Sequence, residues 1–191
     1  MYKRQEEEYR LLQAWSDVRL YLPRVEDLKE ESGSQVFDAA IRQAEEALDL
    51  TSVSELSMAL PAAYEALKAA VETYTEGLCA GWTPGEEVDL TWLLTNPDFS
   101  EGSKGWEGTS FTAASSGVAE FYDKTYDTYQ VLERMPAGTY RLRAQGFYRY
   151  GDKAEAYNAH RDGSEQLLAG LYLNNSRQMF MSLFDGSAPY T

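Results

Sequence analysis

"NPDFSEGSKGW", Asn96 to Trp106, stands between a first half patterned for helices and a second half patterned for strands. It joins an Asx-Pro corner, an acidic residue, a core-type Phe, a Gly/Ser stretch and a Gly-Trp pair. Asn and Asp bond their own backbone in turns, Pro fixes φ, and Gly opens conformations closed to other residues. Such a stretch can be a site loop, a metal loop or the corner through which a chain passes into a new layer. The sequence on either side decides among these.

Upstream, three segments repeat apolar residues at helical spacing. The first uses Leu11, Leu12, Trp15, Val18, Leu22, Val25 and Leu28. The second follows "SGS" at 32–34 with Val36, Phe37, Ala40, Ile41, Ala44, Ala47 and Leu48. The third opens on Ser52 and Glu55, an S-x-x-E capping box that would satisfy orphan N–H groups. It continues through Leu56, Leu60, Ala63, Leu67, Ala70, Val71 and Tyr74 to Gly77, read as its stop. Pro23 and Pro61 fall inside these patterns and are expected to kink or break the helices. Amphipathic helices of this length, joined by short loops, bury their stripes only against each other. The expectation for residues 1–80 is an antiparallel three-helix bundle.

From Thr83 the texture changes. "TPGEEVD" reads as a turn-rich linker, placed at 81–89. Later segments are short, aromatic and β-branched, with strands expected at 90–95, 106–113, 118–123, 127–135, 139–149, 167–173 and 178–184. "MPAGTY" (135–140) is a Pro-x-Gly turn feeding a strand. Along that strand Tyr140, Leu142, Ala144, Gly146 and Tyr148 alternate with Arg141, Arg143, Gln145, Phe147 and Arg149. The fold expected is α+β in two domains, the bundle followed by an antiparallel β-sandwich or jelly roll over 90–191.

The net charge of −14 and pI near 4.5 argue against nucleic acid as a partner and against polybasic attachment to anionic lipid. The single Cys79 rules out an internal disulfide and a thiolate zinc cluster. No apolar run approaches the roughly 20 residues that span a bilayer. "MYKRQEEEYR" has no signal-peptide pattern, so an export signal is expected outside this chain. His160, the single histidine, lies in the polar stretch "YNAHRDGSEQ" and reads as a solvated loop residue. Glu120, Asp123 and Asp127 read as ordinary members of an acidic chain. No catalytic group is assigned, and the protein is expected not to be an enzyme.

Sugar binding calls for aromatic faces against pyranose rings, with amides, arginines or carboxylates on the hydroxyls. Tyr126, Tyr148, Arg149 and Tyr150, with Asn158 and Arg161 from a long polar loop at 150–166, are the candidates. Trp106 and Tyr122 are further aromatics of this kind, although Trp106, like Phe99, reads as core.

"VDLTWLLTNPDFSEGSKGWEG", "AEFYDKTYDTYQVLERMPAGTYRLRAQGFYRYG" and "LYLNN" resemble a galactose-binding-like jelly-roll family of surface and secreted proteins of gut Bacteroidetes. The shared pattern is N-P-x-F, G-W, an A-E strand, an aromatic-Gln pair, a P-x-G-x-Y turn and an F-Y-R strand, over about residues 87–184. The helical half is similar, more weakly, to FIVAR-type three-helix repeats that precede such modules. The resemblance implies a noncatalytic carbohydrate-binding accessory module of an exported polysaccharide-handling protein, extracellular, on the cell surface or periplasmic, with a glycan as partner. It requires no cofactor, but relatives often carry a structural calcium near the first strand. Calcium takes several oxygen ligands, and Asn96, Asp98 and Glu101 occupy the matching vicinity. Relatives place an acidic residue directly after the Phe, where this chain has Ser100. A jelly roll needs about eight strands and seven are counted. The expectation is therefore a piece of a longer protein, or an edge covered in an oligomer. The reading from a different class is a structural or adhesive spacer that contacts protein and takes no small ligand.

Overall fold

Val18, Leu22, Val25 and Leu28 recur every three or four residues, and all four are buried. They form the inner stripe of α1 (Tyr2–Ser32). The same spacing buries Ala40, Ile41, Ala44 and Ala47 on α2 (Asp38–Leu48) and Leu60, Ala63, Leu67, Ala70 and Val71 on α3 (Val53–Ala80). The three stripes share one core, with Phe37 from a single 3-10 turn (Gln35–Phe37) fully buried among them. In this computed structural model residues 2–111, 113–115 and 117–185 are described.

Helix direction follows from the pairs that meet. Lys29 of α1 bonds Asp38 at the start of α2 at 2.6 Å, while Arg19 and Leu22 lie beside Glu45 and Leu48. Phe37 packs on Tyr74, far along α3, at 5.1 Å between ring centroids. Thus α2 runs antiparallel to both neighbours.

The prolines do not break the helices: α1 runs through Pro23 and α3 through Pro61. An interior proline costs about 3 kcal/mol. Leu22 and Val25 flank one proline and Leu60 and Ala63 the other, all buried. Burying one large apolar side chain contributes about 1.5–3 kcal/mol, so a continuous stripe outweighs one lost hydrogen bond. Gly77 does not stop α3 either, which continues to Ala80 and is capped by Gly81. Ser52 does stand at the N-cap of α3, but its hydroxyl makes no cap hydrogen bond and sits 3.5 Å from that of Ser54.

The described chain divides into two compact units, one ending at Ala137 and one beginning at Gly138. In the first, residues 90–95 form no strand. Asp89 Oδ1 accepts the Thr91 N–H at 2.8 Å, closing a tight turn that leads into a second 3-10 turn (Thr91–Leu93). That turn puts Trp92 against Tyr74 of α3, with ring centroids 5.8 Å apart. β1 (Glu107–Gly108) pairs with β4 (Thr128–Tyr129), and β2 (Ala113–Ser115) with β3 (Val118–Glu120), both antiparallel.

In the second unit β5 (Gly170–Leu173) pairs antiparallel with β6 (Ser176–Met179). Among the described residues, 139–149 form no ladder there, and Tyr148 makes a parallel bridge to Ser182. The protein is therefore mixed helix and strand, and its described strands form three two-stranded ladders rather than a sandwich. Left-handed backbone at Asn96, Phe99, Asp123, Arg134 and Asn174 interrupts the extended segments and shortens the strands. The 150–166 stretch is not a loop but holds α4 (Lys153–Arg161), started by Asp152, whose Oδ1 accepts the Glu155 N–H at 2.8 Å.

Leu67→Ala is expected to lower unfolding stability by about 3 kcal/mol, read from the urea midpoint at unchanged m-value. Leu20→Ala, at an exposed position of α1, is expected to stay within about 0.5 kcal/mol.

Candidate functional site

The corner at 95–106 is built by side chains that bond main chain. Gln130 holds Thr95 from both sides, accepting its N–H at 2.9 Å and donating to its carbonyl at 2.8 Å, as a neighbouring strand would. Arg24 of α1 reaches the same residue: Nη1 donates to the Thr95 hydroxyl at 3.2 Å and Nη2 to the Trp92 carbonyl at 2.5 Å. Burial pulls the Arg24 guanidinium below its ordinary pKa, opposed by the nearby Tyr21 and Tyr64.

Asn96 then turns the chain at φ 50°, a conformation asparagine tolerates. Its Nδ2 donates to the Gly102 carbonyl at 2.8 Å and its Oδ1 accepts the Glu101 N–H at 3.0 Å. Trp106 closes the loop by donating its indole N–H to the Asn96 carbonyl at 3.1 Å. Gly105, at φ +77°, passes so close to Thr95 that a Cβ would overlap the threonine side chain. Phe99 takes φ 57° and packs tilted against Trp106 and edge-on against Phe111, with centroids 4.9 and 5.3 Å away. The aromatic row continues through Phe121 to Tyr126, whose ring lies parallel to that of Phe121 at 3.9 Å.

The three residues matched to a calcium vicinity are already engaged. Asn96 Oδ1 faces an N–H, Asp98 Oδ1 accepts the Ser100 N–H at 3.1 Å and hydroxyl at 2.8 Å, and Glu101 pairs with Lys104 at 2.5 Å. Among the described residues no three His, Cys, Asp or Glu side chains gather into a group that could hold a metal ion.

The sugar-site residues fall into different units. Tyr126 belongs to the first. In the second, Tyr148 is half-buried at its bridge to Ser182, Arg149 is exposed and Tyr150 is 69% exposed. Gly151, at φ +69°, turns this run into the Asp152 cap of α4, which carries Asn158 and Arg161, both exposed. Arg161 Nε bonds Asp162 at 3.0 Å.

His160 is also on α4, only partly exposed, rather than in a solvated loop. Its Nδ1 lies 3.0 Å from Glu165 Oε2, while Ser182, nearly buried, donates its hydroxyl to Glu165 Oε1 at 2.9 Å. Asp185 Oδ2 accepts the Ser182 N–H at 3.2 Å, and Tyr157 packs edge-on against Phe184 at 5.4 Å. Glu165 thus joins α4 to the 182–185 turn. The helix was legible in D-x-x-E at 152–155, an acidic counterpart of the capping signal, whereas the Glu165 junction needs three-dimensional proximity. No helix of the described residues is long and apolar enough to cross a membrane. No protein-family model, curated protein or solved structure gives a significant match to this chain.

The Ser100 N–H and hydroxyl hold the Asp98 carboxyl below its ordinary pKa of 3.8. Because the folded value is the lower one, this stabilisation is present above pH 3.8 and is lost as pH falls through the folded value. Asp98→Asn is therefore expected to flatten the acid limb of a stability-versus-pH curve below pH 3.8. Gly105→Ala, forced into a left-handed conformation against Thr95, is expected to destabilise by more than about 1 kcal/mol, measured by urea unfolding.

Proposed function

We propose that this chain is a noncatalytic carbohydrate-binding accessory module of an exported, polysaccharide-handling protein, acting outside the cell or in the periplasm. The family resemblance of residues 87–184 motivates the reading, including a jelly-roll ancestry for the strand-bearing part. The observation that carries it is the run Phe147–Tyr150, where Phe147, Arg149 and Tyr150 are all exposed just before the cap of α4. Large aromatic rings are costly to leave in water, and exposed next to arginine they suit the apolar face and hydroxyl rim of a sugar. Asn158 and Arg161 of α4 supply further polar contacts. This reading requires no cofactor and allows a structural calcium beside Asn96, Asp98 and Glu101.

A second reading, a structural or adhesive spacer, has its own support in the first unit. Arg134 bonds Glu65 and reaches Glu72 at 3.5 Å on α3, while Lys68 joins Glu65 to Glu133. With Arg24, these contacts tie the segment after the bundle to α1 and α3.

Affinity electrophoresis of the full chain through plant and mucin polysaccharides separates the two. Retardation by at least one polysaccharide is expected, lost in Tyr150→Ala with an unchanged melting temperature. Unretarded migration throughout would leave the spacer reading standing.

A further inference from the structure

The acidic character of this protein is unevenly distributed. Of its 31 acidic residues, only Asp152, Glu155, Asp162, Glu165 and Asp185 follow Ala137. None lies in 138–151 or in 166–184, the two segments that hold the extended chain of the second unit, yet Arg141, Arg143, Arg149 and Arg177 do.

Register puts part of this charge on one face. Tyr148 bridges Ser182 in parallel, Gly146 lies against the Phe180 ring, and Phe180 N–H bonds the Ala169 carbonyl at 2.9 Å, extending the β5–β6 pairing. Side chains alternate along extended chain. Ser182 faces α4 through Glu165, so Phe147, Arg149, Arg177 and Met181 fall on the opposite face, with Tyr172 directly across from Arg177. All five are exposed, and neither Arg149 nor Arg177 makes an ion pair within the described residues. Arginines amid exposed aromatic and apolar side chains, without a carboxylate on either strand segment, are poorly explained as a solubility feature.

We propose that this face binds a polyuronate, a glycan whose rings stack on Phe147 and Tyr172 while its carboxylates accept from Arg149 and Arg177. This rests on the carbohydrate-binding reading and adds the ligand's charge. Guanidinium matches a carboxylate in bidentate geometry. The net charge of −14 does not forbid it, since charges beyond roughly 8 Å are screened at physiological salt and the two strand segments themselves carry no carboxylate.

The test is affinity electrophoresis of the full chain in polygalacturonate and in its fully methyl-esterified form, which keeps the sugar and removes the charge. Retardation by polygalacturonate alone is expected, weakened by salt and reduced at least about tenfold in R149Q/R177Q, one lost charged hydrogen bond being sufficient for that. R149K/R177K, which keeps the charge but loses the bidentate fork, is expected to bind more weakly than the parent and more tightly than R149Q/R177Q. If R149Q/R177Q loses binding together with a lowered melting temperature, and R149K/R177K restores neither, the arginines act structurally and the proposal falls. Equal retardation by both polymers, unchanged in the variants, would overturn the charge inference and leave carbohydrate binding standing. Absence of retardation by any polysaccharide would remove both. A low-salt dimer in sedimentation, abolished by R149Q/R177Q without any glycan retardation, would instead assign the face to the acidic helices of a second copy.

Discussion

Arg24 is the contact on which the first unit turns. Its guanidinium leaves α1 partly desolvated and, with no carboxylate partner among the described residues, is bonded to the Trp92 carbonyl and the Thr95 hydroxyl. A buried charge persists only where such dipoles satisfy it, and hydrogen bonds to charged groups contribute about 1.5–3 kcal/mol each. Fixing Trp92 and Thr95 places the whole corner, because Gln130 then clips Thr95 while Asn96 and Trp106 close the turn behind it. The aromatic row from Phe99 to Tyr126 grows from that fixed point. The exposed Arg134–Glu65 network adds little energy for its size, as exposed ion pairs do, but it sets where residues 133–134 meet α3.

The second unit is organised differently. Among its described residues only Ala156, Ala169 and Ser182 are buried, so apolar packing alone does not hold it together. Glu165 takes over part of that work by joining His160 on α4 to Ser182 beside the Tyr148 bridge. This leaves one face of the extended chain under α4 and the other presenting arginine and aromatic side chains. The proposed glycan site and the weak core of this unit share one cause, apolar residues turned outward.

The helices were legible in sequence because a 3.6-residue period is local and its burial is cooperative, as at Val18 to Leu28 and Leu60 to Val71. The prolines misled because a local rule ignores what the flanking leucines and valines gain by staying in register. Strands were overread for the opposite reason. Alternation at 139–149 marks a chain suited to a sheet but does not supply a partner, and only Tyr148 finds one. The Asn96–Trp106 stretch turns the chain and packs Phe99 against Trp106, but it follows a 3-10 turn where a first strand was expected. The clamps on it, Arg24 and Gln130, lie 71 and 35 residues away from Thr95 and left no local signal.

The most direct measurement is native-state hydrogen exchange on Arg24→Leu. Thr95 and Glu101 carry N–H groups bonded by the Gln130 and Asn96 side chains, while Ala44 and Leu67 report the bundle core. If Arg24 pins the corner to the helices, protection falls at Thr95 and Glu101 and persists at Ala44 and Leu67. Unchanged protection at Thr95 and Glu101 would mean that the corner holds itself and that Arg24 is incidental.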